Sequence, residues 1–113
     1  MINWIPLTEL SQLKDILQLS QTKPCLIFKH STRCSISSMA LNRLERAADE
    51  SFNELNSYLL DLISYREISN AIADELSVEH QSPQIITIVK GKVVLHASHN
   101  AISANDILDA ITV

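Results

Sequence analysis

The sequence predicts an α/β fold with a central mixed sheet of four strands flanked by helices, and three observations predict it. Residues 25–29 (CLIFK) form a short, almost continuous apolar run of the kind a strand buried on both faces requires. Apolar residues recur at helical spacing on either side of that run. Finally, the β-branched runs 85–89 and 93–97 are separated only by Lys90, Gly91 and Lys92, a three-residue connection that holds the chain's single glycine and reads as a hairpin.

Each element has its own signal. Leu7, Leu10, Leu13, Ile16 and Leu17 repeat with helical period after Thr8, a good N-cap, which places a first helix over residues 8–20. Pro24 precedes the apolar run 25–29. From Cys34 onward, Ile36, Met39, Ala40, Leu44, Ala47 and Ala48 keep helical period with no Gly or Pro among them, predicting a helix to about Phe52. Residues 57–63 (SYLLDLI) read as a second strand, and Ile68, Ile72, Ala73 and Leu76 as a third helix, so the first two strands should be parallel. After the hairpin, Ser103 followed three residues later by Asp106 resembles a capping box ahead of Ile107, Leu108 and Ile111. No repeat, linker or shift of composition divides the chain, so residues 1–113 are expected to form one domain. The order α-β-α-β-α-β-β-α is that of the thioredoxin-like fold.

Composition narrows the function. Hydrophobic residues make up 46% and charged residues 19%, with one Gly and three Pro, the balance of a chain that folds on its own. A net charge of -4 and nine Lys and Arg without a basic run argue against nucleic acid and against an anionic membrane surface as partners. No apolar run approaches the roughly eighteen residues of a membrane span, and residues 1–9 lack a basic segment followed by an apolar one, so a soluble, cytoplasmic protein is expected. In that compartment the two cysteines, Cys25 and Cys34, read as thiols rather than as a structural disulfide.

The two thiols differ in place. Cys34 falls where a strand end meets a helix N-terminus, and unpaired N–H groups and the helix dipole there favour an anion by about 0.3 to 2 kcal/mol. Arg33, and also His30, can add positive charge, and together these features should lower the Cys34 pKa and favour the thiolate that attacks disulfides. Ser37 stands three residues on, where a dithiol would carry its second cysteine; its hydroxyl could donate to the Cys34 sulfur but could not resolve a mixed disulfide. Cys25 begins the strand that ends near His30, about 16 Å away at about 3.3 Å per residue, well beyond the roughly 7 Å between Cα atoms that a disulfide allows. It reads as a small buried hydrophobe. His30, His80, His96 and His99 show no ligand spacing, so no metal is expected, and His96 and His99 read as solvated residues at a strand end. Trp4 and the leucine face of the first helix read as core or as a docking surface.

The segment Phe28-Lys29-His30-Ser31-Thr32-Arg33-Cys34-Ser35-Ile36-Ser37-Ser38 resembles the active-site stretch of the YtxJ-type monothiol bacilliredoxins, thioredoxin-like proteins of the bacillithiol system often labelled general stress proteins. Ser82-Pro83, just before the hairpin, falls where such folds carry a cis-proline facing the active thiol. The resemblance implies that Cys34, with Arg33 and Ser37, takes bacillithiol off S-thiolated proteins, and that His30, Thr32, Ser35, Ser82 and Pro83 contact the substrate. It implies bacillithiol as co-substrate, no tightly bound cofactor, and a second small thiol or a reductase as recycling partner. Ser35 stands where the family pattern Cys-Pro-Ile-Ser has Pro, which bears on redox poise and substrate preference. Two competing readings are a non-catalytic thioredoxin-like interaction module that senses stress or redox state and a glutaredoxin-like protein that uses glutathione.

Overall fold

The computed structural model describes residues 2–112; Met1 and Val113, the ends of the expected domain, lie outside the described residues. Its elements in chain order are β1 (Trp4–Pro6), α1 (Ser11–Leu19), β2 (Cys25–His30), α2 (Ser35–Ala47), β3 (Asn56–Asp61), α3 (Arg66–Leu76), β4 (Gln84–Val89), β5 (Lys92–Ser98) and α4 (Ala104–Ile111), with short 3-10 turns at Glu50–Glu54 and His99–Ala101. The strands form one sheet in the order β1-β3-β2-β4-β5. β1, β3 and β2 run parallel, while β4 lies antiparallel to β2 and to β5.

The sheet therefore has five strands where four were predicted. The added one, β1, is three residues long, ends in a proline at the sheet edge and exists only by pairing Trp4, Ile5 and Pro6 with Ser57, Tyr58 and Leu59. The Leu7 N–H extends that ladder to the Leu59 carbonyl at 3.0 Å. Such a short segment carries no periodic signal of its own.

β3 ends at Asp61, two residues short of the expected 63, and two helix boundaries also differ from expectation. α1 begins at Ser11 rather than at Thr8, because the Gln12 side chain folds back and its Oε1 accepts the N–H groups of Thr8 (2.8 Å) and Glu9 (2.9 Å). α2 ends at Ala47, since Ala48 is extended and Asp49 caps a separate 3-10 turn by accepting the Ser51 N–H at 2.9 Å. The Ser103 hydroxyl caps α4 as its spacing suggested, accepting the Asp106 N–H at 3.3 Å.

Side chains alternate across β2, the central strand. Cys25 and Ile27 enter a core with Leu13 and Ile16 of α1 and Ile68 and Ile72 of α3. Leu26 and Phe28 enter a second core on the other face, with Ala40 and Leu44 of α2 and Ile107 of α4. The next two residues continue the alternation, so Lys29 points beneath α3 and His30 beneath α2. The parallel strands β2 and β3 end together at His30 and Asp61, which are register partners. Ligands of α/β sheets gather beyond such carboxyl ends.

Candidate active site

Chain leaving β2 at His30 turns through Ser31, Thr32 and Arg33 and enters α2 at Ser35, with Cys34 as the N-cap residue. Cys34 is extended (φ -110°, ψ 119°), donates its N–H to the Ser31 carbonyl at 3.2 Å, and accepts the Ser38 N–H on its own carbonyl at 3.1 Å. Its side chain is half-buried and makes no capping hydrogen bond. Cys34 thus stands where the strand end meets the helix N-terminus, as the sequence predicts, beside the N–H groups that the first turn of a helix leaves without intrahelical partners. Arg33, Thr32, Ser35 and Ile36 around it are all exposed.

Ser37 is where the structure departs most from the sequence reading. The residue is fully buried, and its hydroxyl accepts the Ser31 N–H at 3.0 Å and meets His30 Nδ1 at 2.7 Å. The hydroxyl is thus engaged by the turn and not by the Cys34 sulfur. It braces the loop that presents Cys34, joining the third residue of α2 to the end of β2.

His30 also differs from expectation. Its ring packs edge-on against Phe28 with centroids 6.1 Å apart, and burial pushes its pKa below the ordinary imidazole value, partly offset by the Asp61 carboxylate. A neutral ring at neutral pH supplies no positive charge, which leaves Arg33 as the cation of this segment. His30 and Thr32 form one side of a cleft of about 190 Å³, with Trp4, Pro6, Asp61 and Tyr65 among its other walls. Trp4 is held there by a 3.3 Å hydrogen bond from Nε1 to Glu45 and by edge-on contact with Phe28. β1, which carries no signal in the sequence, thereby builds a wall of the cleft that His30 and Thr32 also line.

The Ser82–Pro83 peptide bond is cis. Pro83 stands one step beyond the last β2–β4 pair, Lys29 with Gln84, so it lies across from His30 at the end of the sheet that carries Cys34. Its carbonyl accepts the N–H of His99, whose own carbonyl accepts from Arg43 of α2. Ser82 is partly exposed and Pro83 buried. His96 and His99 are both exposed.

Cys25 has the opposite surroundings. It is fully buried, with the carbonyl oxygens of Lys23 and Ile16 at 3.5 and 3.7 Å from its sulfur, and burial pushes its thiol pKa up. Both cysteines are free, and the length of β2, about 16 Å, lies between them. Among the described residues, no three His, Cys, Asp or Glu side chains gather as a metal site would need, and no helix is long and apolar enough to cross a membrane.

A feature the sequence reading passed over is Lys29. It is fully buried in β2, with Nζ donating to the Ser69 carbonyl at 3.2 Å and lying 3.3 Å from His80 Nδ1. Burial lowers its pKa to about 8. A lysine within an otherwise apolar strand was the available signal.

Known structures place this geometry. The chain superposes on a thioredoxin-fold protein assigned as an oxidoreductase with a TM-score of 0.80 and 27% identity, over 94% of this chain and 91% of that one. The thioredoxin of Malassezia sympodialis (TM-score 0.72, 16% identity, 99% and 90% covered) and that of Fasciola hepatica (TM-score 0.68, 18% identity, 95% of each chain) share the fold. The protein is a thioredoxin-like thiol oxidoreductase by family and fold. Residues 5–107 match the family of the monothiol bacilliredoxin BrxC, and the chain belongs to that family.

Proposed function

We propose that the protein removes bacillithiol from mixed disulfides on proteins, with Cys34 as the attacking thiolate. The observation that carries this reading is the pairing of a half-buried N-cap cysteine with a serine at the third position of the same helix. Cys34 has N–H groups beside it to favour negative charge, and Ser37 offers no second thiol for an internal disulfide. The thiolate attacks the bacillithiol sulfur, forming a Cys34–bacillithiol disulfide, while the protein thiolate leaves and takes a proton from water. A second reduced thiol, or a reductase, then attacks that disulfide and returns Cys34 to its starting state.

In this reading Arg33 supplies the local cation, and Thr32 and Ser35, exposed on either side of the thiol, contact the substrate. The neutral ring of His30 lines the cleft it shares with Thr32, and the Ser82–Pro83 segment offers backbone groups to an extended protein substrate. No tightly bound cofactor takes part; bacillithiol is a co-substrate, S-thiolated proteins are the partners, and the cytoplasm is the setting.

Intact-mass measurement with an S-bacillithiolated protein tests the reading. Wild type should acquire one bacillithiol on Cys34 and stop, excess reduced thiol should restart turnover, and Cys34→Ser should acquire none. A Cys25–Cys34 disulfide in place of the adduct would overturn the monothiol scheme. Failure of Cys34 to react with bacillithiol or glutathione disulfides would replace the enzymatic reading with that of an interaction module, and faster transfer from glutathionylated substrates would move the co-substrate to glutathione.

A further inference from the structure

The Lys29 cluster lies outside the thiol chemistry of Cys34. Lys29 and Gln84 are register partners on β2 and β4, and both are buried. From Lys29, Nζ reaches α3 at the Ser69 carbonyl and the post-α3 loop at His80 Nδ1, which is also 3.4 Å from Ser69 Oγ. From Gln84, Nε2 donates to the Glu79 carbonyl at 3.0 Å and Oε1 accepts the Gln81 N–H at 3.4 Å. Residues 79–81 are therefore gripped from inside the sheet at three points immediately before Ser82–Pro83. A fully buried lysine whose partners are a carbonyl and a ring nitrogen, with no negative charge on either, is costly to maintain. A methionine would fill the same space without that desolvation penalty.

We propose that Lys29 is a positioning residue for substrate binding: with His80 and Gln84 it holds the 79–83 loop at the height where the Ser82–Pro83 segment receives the protein half of the mixed disulfide. This rests on the proposed function for its substrate. The loop crosses from α3 to β4 without regular structure, so its placement depends on side chains that reach it. Gln84 fixes it to its own strand, and Lys29 fixes it to β2, the strand that delivers Cys34. Thiol and loop are thereby referred to one element, and a shift of the loop relative to the sulfur is resisted by the ammonium's contact with His80, while its hydrogen bond to the Ser69 carbonyl fixes the ammonium to α3.

The test uses Lys29→Met, which keeps length and apolar volume, and His80→Ala, which removes an exposed ring and leaves the core intact. Both are assayed against an S-bacillithiolated protein and, separately, for Cys34 alkylation by iodoacetamide, a reagent too small to need the loop. Lys29→Met should raise KM about tenfold or more, as expected for losing hydrogen bonds to a charged group, with kcat changed less than about threefold and alkylation unchanged. His80→Ala should raise KM in the same direction by a smaller factor, and it carries the test if Lys29→Met does not fold. An unchanged KM in a folded variant overturns the proposal, as does a parallel fall in alkylation, which would make Lys29 part of the thiol's own environment. If wild type accepts no thiolated protein, the functional reading fails by itself. Amide exchange at Gln81 then still decides the loop claim: faster exchange in Lys29→Met upholds it, and an unchanged rate overturns it.

Discussion

Replacing Ser37 by cysteine should turn this monothiol protein into one that resolves its own mixed disulfide. The N-cap and third-residue positions of a helix are close enough for a capping side chain to reach the third N–H, and they fall within the roughly 7 Å between Cα atoms that a disulfide allows. Stability should suffer first. The Ser37 hydroxyl accepts from Ser31 at 3.0 Å and meets His30 Nδ1 at 2.7 Å in a fully buried position, and a thiol is a weak partner for both. Leaving one such group unsatisfied costs about 1 to 3 kcal/mol. At about 4 °C per kcal/mol for a domain of this size, Tm should drop by about 4 to 12 °C. Ser37→Ala should show the same drop and serves as the control. In mass spectrometry with a bacillithiolated protein, wild type should hold the small thiol on Cys34. Ser37→Cys should release it and end two hydrogens lighter than its reduced form. A folded Ser37→Cys that keeps the adduct as long as wild type does would refute the reasoning, because a missing second thiol could then no longer explain the monothiol behaviour.

The buried groups lead to further expected outcomes. Cys25→Ala should cost about 1 kcal/mol, from the small cavity left among Ile16, Ile27 and their neighbours, while thiol transfer by Cys34 proceeds as in wild type; equal loss of transfer in the folded variant would show Cys25 taking part. The folded pKa of Lys29, about 8, lies below its unfolded value near 10.4, so the unfolded chain holds a proton that the folded one releases in that window. Wild-type stability relative to Lys29→Met should therefore rise between about pH 8 and pH 10.5 in denaturant titrations, and a flat difference would contradict the assignment. His30 and His80 are also lowered by burial, and the stability they preserve as neutral rings should be lost as pH falls below about 6.5.

How far the sequence could be read depended on whether an element announces itself locally. β2 through β5 and all four helices carry period or composition within their own residues, and the Ser103 cap is a four-residue pattern. β1 does not: Trp4–Pro6 becomes a strand only because β3 offers its edge some fifty residues later. The start of α1 escapes local sequence for a similar reason, since the Gln12 side chain takes up the Thr8 and Glu9 N–H groups ahead of the helix. At the site, the position of Cys34 between β2 and α2 followed from element boundaries. The inward turn of the Ser37 hydroxyl did not, because helical spacing specifies a face and not which neighbour on that face wins a hydroxyl. The neutrality of His30 needed the packing of Phe28 and α2 around it. In sequence Lys29 is the polar end of an apolar run, and its burial depends on α3 and the His80 loop closing over it.

Cys25 begins β2 and Cys34 follows its other end, and on the proposed function the contrast between their surroundings explains why one thiol suits exchange and the other does not. β2 starts at Cys25 under α1, where the sulfur lies against the carbonyl oxygens of Lys23 and Ile16. The surrounding apolar core withholds water, and burial opposes a thiolate there more than Asn56 and the Lys23 charge favour it. The chain leaves the other end of β2 into a helix, and a helix start presents N–H groups instead of carbonyls. Cys34 therefore sits on the side of the sheet where backbone dipoles favour negative charge, close to solvent and next to Arg33. Reversing the chain direction of β2 and α2 would exchange those environments while leaving the residue types unchanged. On the proposed function, strand polarity thus sets which thiol reacts. On the proposed function, Ser37 then decides the fate of a mixed disulfide on Cys34, because its hydroxyl braces the turn that presents the thiol and cannot attack the disulfide formed there.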